Sequence, residues 1–215
     1  MSVGQGGGVI GGNVAARAGD RKDQILQALA EMLEGPRAEK ITTAALAARL
    51  GVSEAALYRH FASKAQMFEG LIEFIENTLF SLINKLITEE KSGTRQVEGI
   101  VSLLLGFSRK NPGMTRVLIG DALINENDRL QLRINQLHDR LEATLKQALR
   151  FGASEGEVCT GLDASAQANL LMCFVTGRWH QFAKSGFKRD PLEPWEAQRK
   201  ALFSSPVPGR NSSAG

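Results

Sequence analysis

The chain has 215 residues, 43% hydrophobic and 23% charged, enough for one helical domain of ordinary size plus a small module. Its 26 Lys and Arg against 23 Asp and Glu leave a net charge of +3, too slight for charge alone to announce nucleic acid. The sequence lacks a run of roughly 18 apolar residues, its glycine-rich start has no signal-peptide core, and Cys159 and Cys173 are too few for a disulfide framework, so a cytoplasmic protein without membrane contact is expected.

Residues 1–19 hold many glycines and little that could join a core, and are expected to form a flexible arm. Order is expected from Asp20, an N-cap candidate, through a helix whose Ile25, Leu29, Met32 and Leu33 recur at helical period before Gly35-Pro36 stops it. Thr42 or Thr43 can cap a second helix carrying Leu46, Ala47 and Leu50 and ending at Gly51. Ser53 opens a very short third helix through Leu57 to His60, and Ser63 with Gln66 has the capping-box spacing for a fourth. That fourth helix is long: Phe68, Leu71, Ile72, Ile75, Leu79, Leu82, Ile83 and Leu86 fit one stripe.

A fifth helix from about Thr94 turns Val97, Ile100, Val101, Leu104 and Leu105 inward and ends before Asn111-Pro112-Gly113. A short sixth segment covers Met114 to Ala122. Leu130, Ile134, Leu137, Leu141, Leu145 and Leu149 mark a seventh helix stopped at Gly152. Asp163 caps an eighth, rich in Leu170, Leu171, Phe174, Val175, Trp179 and Phe182; Trp195 to Phe203 suggests a ninth, and residues 205–215 read as a disordered tail. No segment alternates at period two over a strand's length. The expected class is all-α, with residues 20–62 a three-helix module and residues 63–204 a larger helical bundle.

Residues 41–61, ITTAALAARLGVSEAALYRHF, have the anatomy of a helix-turn-helix: Ala47 is small where two helices cross, Gly51 supplies the turn, and Val52 and Leu57 anchor the second helix. Its outward residues are Ser53, Glu54, Ala55, Tyr58, Arg59 and His60. In Ile41, Thr42, Leu46, Ala47, Leu57, Tyr58, His60 and Phe61, with Lys64 at the next helix start, the chain resembles the TetR family of DNA-binding proteins. Thr42 and Thr43 offer hydroxyls and free N–H groups at a helix N-terminus, where a phosphate is favoured. Tyr58 and His60 can hydrogen-bond phosphate oxygens, and Lys64 adds a point charge. Ser53 and Ala55 are candidates for base-edge and thymine-methyl contact, and Arg17, Arg21 and Lys22 for backbone or minor groove. So small a module must lean on the fourth helix, and a two-fold homodimer reading palindromic double-stranded DNA is the usual solution. The seventh and eighth helices are the expected dimer surface.

Neither a cofactor nor a metal is expected: His60, His138 and His180 are far apart, and no His/Cys/acid cluster has ligand spacing. No catalytic constellation or phosphate loop is found, so an enzyme is not expected; Cys173 and His180 share a helix face and read as a buried thiol and a surface imidazole. Residues 103–117, LLLGFSRKNPGMTRV, join an apolar helix end to Arg109, Lys110 and Arg116, and Gly106 inside the helix suggests a close approach. A small groove with a cationic rim would suit an extended acidic-apolar peptide; the plainer alternative is a connector with solvated charges.

That segment, together with Leu71-Ile72-Glu73-Phe74-Ile75-Glu76 and Arg133-Ile134-Asn135-Gln136-Leu137, resembles the nucleoid occlusion branch of the TetR family. The resemblance implies a nucleoid-associated, DNA-bound dimer, able to form higher-order assemblies on DNA, that binds the C-terminal tail of the tubulin-like GTPase FtsZ and blocks septum assembly. It maps the tail groove, between the fourth and fifth helices, onto Phe74, Leu103, Gly106, Lys110 and Asn111. Lys110 stands where that branch suggests Arg, keeping charge without the bidentate fork, and Leu82 stands where a basic residue would help. The competing reading is a ligand-responsive TetR-type transcriptional repressor with an apolar effector pocket.

Overall fold

Helix capping and apolar periodicity account for nearly every element of the computed structural model, which describes residues 18–35, 41–124, 126–157 and 162–203. Arg17, the Pro36 stop, Cys159, residues 1–17 of the expected arm and the expected tail lie outside the described residues. The elements are α1 (Ala18–Leu33), α2 (Thr43–Leu50), α3 (Glu54–Tyr58), α4 (Lys64–Glu89), α5 (Gly93–Lys110), α6 (Pro112–Leu118), a 3-10 turn (Asp121–Leu123), α7 (Asp128–Ser154), α8 (Ala164–Lys184) and α9 (Trp195–Phe203). No strand occurs among the described residues.

Helix α1 starts two residues before Asp20, which therefore lies in its first turn and not at its cap. Thr42, in extended conformation, caps α2 by accepting from Ala45 N at 3.1 Å, and Gly51 closes it in the left-handed region at φ 65°. At α4, Ser63 accepts from Gln66 N at 3.2 Å, while Gln66 Oε1 reaches back to Ala62 N at 2.8 Å, one residue beyond the usual capping box. Phe68, Leu71, Ile72, Ile75, Leu79 and Ile83 form its buried face. Leu82 is 45% exposed, against expectation: successive helical residues point about 100° apart, so the neighbour of inward Ile83 turns out.

The break at Asn111 falls where expected, with α5 ending at Lys110, but the next helix starts at Pro112 and not at Met114. Pro112 opens α6 at a first helical position, where a missing N–H costs nothing, and Gly113 lies inside the helix. A Cβ on Gly113 would sit 1.8 Å from the Ala30 carbonyl oxygen, so α6 rests on the backbone of α1. The close approach expected at Gly106 is not found, since a Cβ there would meet only Leu192, at 3.8 Å. Gly152 likewise does not stop α7 but runs within it, against Gly93 at the start of α5, where a Cβ would lie 2.3 Å from the Gly152 nitrogen. Glu157 then caps α5 from across the contact, accepting from Gly93 N at 3.2 Å and Thr94 N at 2.6 Å, and a hydrogen bond from the Thr94 side chain, followed by these backbone bonds, holds its carboxyl below the usual range.

The larger core lies between α4, α5, α7 and α8, where Val101, Leu104, Leu141, Val175 and Trp179 are fully enclosed. Trp179 donates its indole N–H to the Leu104 carbonyl at 3.2 Å, satisfying the polar atom that so deep a ring brings with it. His138 packs against it, ring centroids 5.8 Å apart, with Nε2 buried and unpartnered. Burial pushes His138 below its ordinary value near 6.5, a shift only partly offset by a hydrogen bond involving the Leu118 backbone. On α8, Cys173 and Leu170 face outward, so Cys173 is not the buried thiol expected.

Two outcomes follow for stability. Gly113→Ala is expected to cost about 1–3 kcal/mol in urea denaturation by forcing α6 off α1, whereas Gly106→Ala is expected to gain up to about 1 kcal/mol by removing a helical glycine with open space around it. Because His138 binds its proton less readily folded than unfolded, its neutral form contributes stability fully present above pH 6.5 and lost as pH falls toward its lowered value. His138→Leu is expected to flatten that part of the stability–pH curve, read by denaturation at pH 5.0 through 7.5.

Candidate nucleic-acid interface

The α2–α3 pair is positioned by a small apolar base: Leu46, Ala47, Leu57 and Phe61 are buried against α1 and α4, and Val52 N donates to Ala47 O at 3.0 Å across the turn. Arg49 ties α2 to α1 through Glu31 at 2.6 Å, and that hydrogen bond lowers the Glu31 carboxyl. With these anchors inward, Thr42, Ser53, Ala55 and Tyr58 are exposed, and Thr43, His60 and Lys64 are half-buried. All seven residues expected at a DNA surface thus fall on α2, on α3 or just beyond it.

Their hydroxyls are less free than the sequence suggests. Thr42 Oγ1 caps α2, and Ser53 Oγ accepts from Ala56 N at 3.3 Å to cap α3. Thr43 Oγ1 donates to Glu54 Oε2 at 2.6 Å and accepts a longer bond, 3.4 Å, from Tyr58 OH. Glu54 is the residue sequence reasoning counted as outward without a role. No spacing rule marks a bond between residues eleven apart on crossing helices, and only the crossing angle makes it. Lys64 Nζ is paired with Glu126 from the segment leading into α7 and lies 5.7 Å from the Phe68 ring centroid. It is therefore a bridge between α4 and the approach to α7 as well as a point charge near α3.

The five residues of the expected peptide groove are spread along the outer side of α4 and α5. Phe74 is partly exposed and lines an open cavity of about 860 Å³ with Asp23, Gln24, Gln27 and Ala28 of α1 and Leu50 of α2. Leu103 lines a second recess of about 370 Å³ with Leu82, Lys85, Leu86, Glu89 and Glu90. The structure does not bring Phe74 and Leu103 into one pocket; Phe74 and Leu82 are eight residues apart on α4, about 12 Å along its axis. Gly106 faces Leu192, and Asn111 caps α5 by donating from Nδ2 to Phe107 O at 2.8 Å. Of the expected cationic rim, Arg109 is paired with Asp190 at 3.4 Å and Arg116 with Asp121 at 3.5 Å. Lys110 is exposed at the end of α5 and has no acidic partner among the described residues.

No helix among the described residues is long and apolar enough to cross a membrane. Residues 25–71 match the model of the bacterial regulatory proteins of the tetR family, and residues 91–205 match that of the tetracyclin repressor-like C-terminal domain, SlmA-like. A nucleoid occlusion factor SlmA from Alteromonas mediterranea is 52% identical over 188 residues, covering 87% of this chain and 96% of that relative. Another, from Idiomarina loihiensis, is 50% identical over 189 residues, covering 88% and 96%. Among solved structures, the transcriptional regulator FadR from Bacillus subtilis, in complex with stearoyl-CoA, superposes with a TM-score of 0.71 at 18% identity, covering 86% of this chain and 99% of that one, a likeness of fold.

Proposed function

The chain belongs to the TetR family, among its nucleoid occlusion factors SlmA and therefore among DNA-binding regulators and not enzymes, and from that premise we propose that it sits on chromosomal palindromes as a homodimer, captures the FtsZ C-terminal tail, and keeps the septum off the nucleoid. The observation that carries this reading is that both surfaces adjoin α4. Its N-terminal residue Lys64 follows directly on the helix-turn-helix, and its outward residues Phe74 and Leu82 border the two recesses along its side.

On DNA, the backbone N–H groups at the start of α2, contributed by Thr43 beside Thr42, together with Tyr58, His60 and Lys64, hold phosphates, and Ser53 and Ala55 approach base edges. The long Tyr58–Thr43 bond is easily given up, so the phenol can turn to a phosphate. The proposed dimer surface is the outer face of α7 and α8. There Leu132, Leu170 and Cys173 stand exposed and Gly177 has open space around it, so a second copy would bury apolar area and allow close helix approach. In the tail site, Leu103 and Phe74 supply apolar contact and Lys110 a cation for an acidic peptide, with Gly106 and Asn111 on the same helix end. A ligand-responsive repressor would need an interior pocket, where this chain places Trp179, Leu104 and Leu141.

Two measurements test the two surfaces. Lys64→Ala is expected to weaken DNA binding to a similar degree on every sequence and to reduce the slope of log affinity against log salt by about 0.9. Glu126→Gln, which releases the ammonium, is expected to tighten binding. In a fluorescence-anisotropy titration with labelled FtsZ tail peptide, Leu103→Asp and Phe74→Ala are each expected to weaken capture at least about tenfold, a loss of about 1.4 kcal/mol, with DNA affinity unchanged. Tail binding that survives both substitutions would remove the assignment of the tail site to Phe74 and Leu103, and absence of tail binding by the unmodified chain would remove FtsZ capture and leave the DNA surface standing.

A further inference from the structure

Phosphate contact leaves one feature of the DNA-facing surface without a purpose: the carboxylate of Glu54, exposed on the first residue of α3 where a polyanion is to dock. Among the described residues no cation pairs with it, and its hydrogen-bond partner is a neutral hydroxyl, Thr43 Oγ1 at 2.6 Å. Thr43 carries a single hydroxyl proton, and that bond commits it to Glu54 Oε2. The pair therefore presents acceptors only: the second carboxylate oxygen and the lone pair of Thr43 that Tyr58 OH leaves open. A phosphate, also an acceptor, gains nothing there and is repelled.

The major groove does offer donors, the N4 amino group of cytosine and the N6 amino group of adenine. Adenine's donor is flanked on both sides by acceptors, its own N7 and the O4 of the paired thymine, which would oppose a carboxylate. Cytosine's donor has an acceptor on one side only, the O6 of guanine, and a C–H on the other. An acceptor-only side chain with one oxygen held in place is thus matched to cytosine. We infer that Glu54 is a specificity-determining residue that accepts a hydrogen bond from N4 of one cytosine in each half-site, and that Thr43 is a positioning residue that fixes its carboxylate. The inference rests on the DNA-binding reading and adds which base the recognition helix selects. It also explains an otherwise costly charge, because the same repulsion that weakens Glu54 against phosphates penalises every sequence lacking the amino group in register.

The test is binding-site selection from a random duplex pool with the full chain, its Glu54→Gln and Glu54→Ala variants, and Thr43→Val. The unmodified chain is expected to prefer cytosine at one position per half-site by at least about tenfold over the other bases. Glu54→Ala is expected to lose that preference to within about twofold while keeping every other position, Glu54→Gln, which keeps an acceptor oxygen and adds a donor, to relax it toward adenine, and Thr43→Val to blunt it partially. In a direct titration, replacing that cytosine by pyrimidin-2-one, which lacks the N4 amino group, is expected to weaken the unmodified chain about tenfold more than Glu54→Ala. Selected sequences identical for the chain and its Glu54 variants would overturn the assignment, as would a loss spread evenly over all positions, the mark of a merely structural role. If no sequence is enriched by any of the proteins, the DNA-binding reading itself falls, and this inference with it.

Discussion

A single methyl carbon added to Gly113 would lie 1.8 Å from the carbonyl oxygen of Ala30, and the seat of the helix-turn-helix on the larger bundle depends on that backbone-to-backbone approach. A three-helix module of this size buries too little apolar surface to set its own orientation. Here α1 lies on α6 through Gly113 and on α4 through Leu26, Leu29 and the face that carries Phe68 and Leu71. Backbone contact is stiffer than side-chain contact because no rotamer can yield to it. The module is therefore carried on the body as a rigid extension. A second backbone approach, Gly93 with Gly152, performs the same task at the far end, where α5 begins against α7 and is capped by Glu157.

Charge is spent mostly inside the molecule, which is why a net +3 gives so little notice of a DNA surface. Arg129 is paired with Glu69, Arg133 and Arg140 with Glu76, Arg109 with Asp190, Arg116 with Asp121, and Lys64 with Glu126. Each exposed pair contributes at most about 1 kcal/mol. Their larger effect is on register: Glu69 and Glu76 hold one side of α4 against α7, while Arg140 also stacks on Phe80 with its guanidinium carbon 4.0 Å from the ring centroid. Among the described residues, what the proposed reading leaves for DNA is local, namely helix-end N–H groups and a few polar side chains.

Helices whose neighbours are met through one long apolar stripe were readable in advance. Leu130 through Leu149 on α7 and Val97 through Leu105 on α5 are buried as their spacing predicts, because a helix of many turns repeats its signal. Local caps were readable for the same reason of short range: Ser63 and Asp163 act within three residues. Features decided by distant partners were not. Gly113 reads as part of a connector until α1 is placed beside it, and Gly106 reads as a contact until Leu192 is seen at an ordinary distance. The seven residues proposed to face DNA were picked out through a motif, yet Glu54 and Glu126, which hold Thr43 and Lys64, carry no motif because their bonds span 11 and 62 residues.

Helix α4 is consequently the part in which the proposed activities meet. Its first residue is held by Glu126 on the approach to α7, its second and fourth turns by arginines of α7, and its buried face by α5, while its outward face carries Phe74 and Leu82. A phosphate that takes Lys64 must take it from Glu126, because one ammonium cannot serve both at full strength. Loss of that bridge removes a restraint at the N-terminal end of α4 without touching the buried face packed on α5. The α4–α5 recess and the α1–α2–α4 cavity would then respond differently, since the first is walled by the fixed part of α4 and the second by the end that is released. In the proposed reading, DNA occupancy therefore acts on the side of the tail site that contains Phe74 and leaves the Leu103 side as it was. The coupling between the two ligands is then bounded by the difference in how well the tail grips Phe74 in the two states.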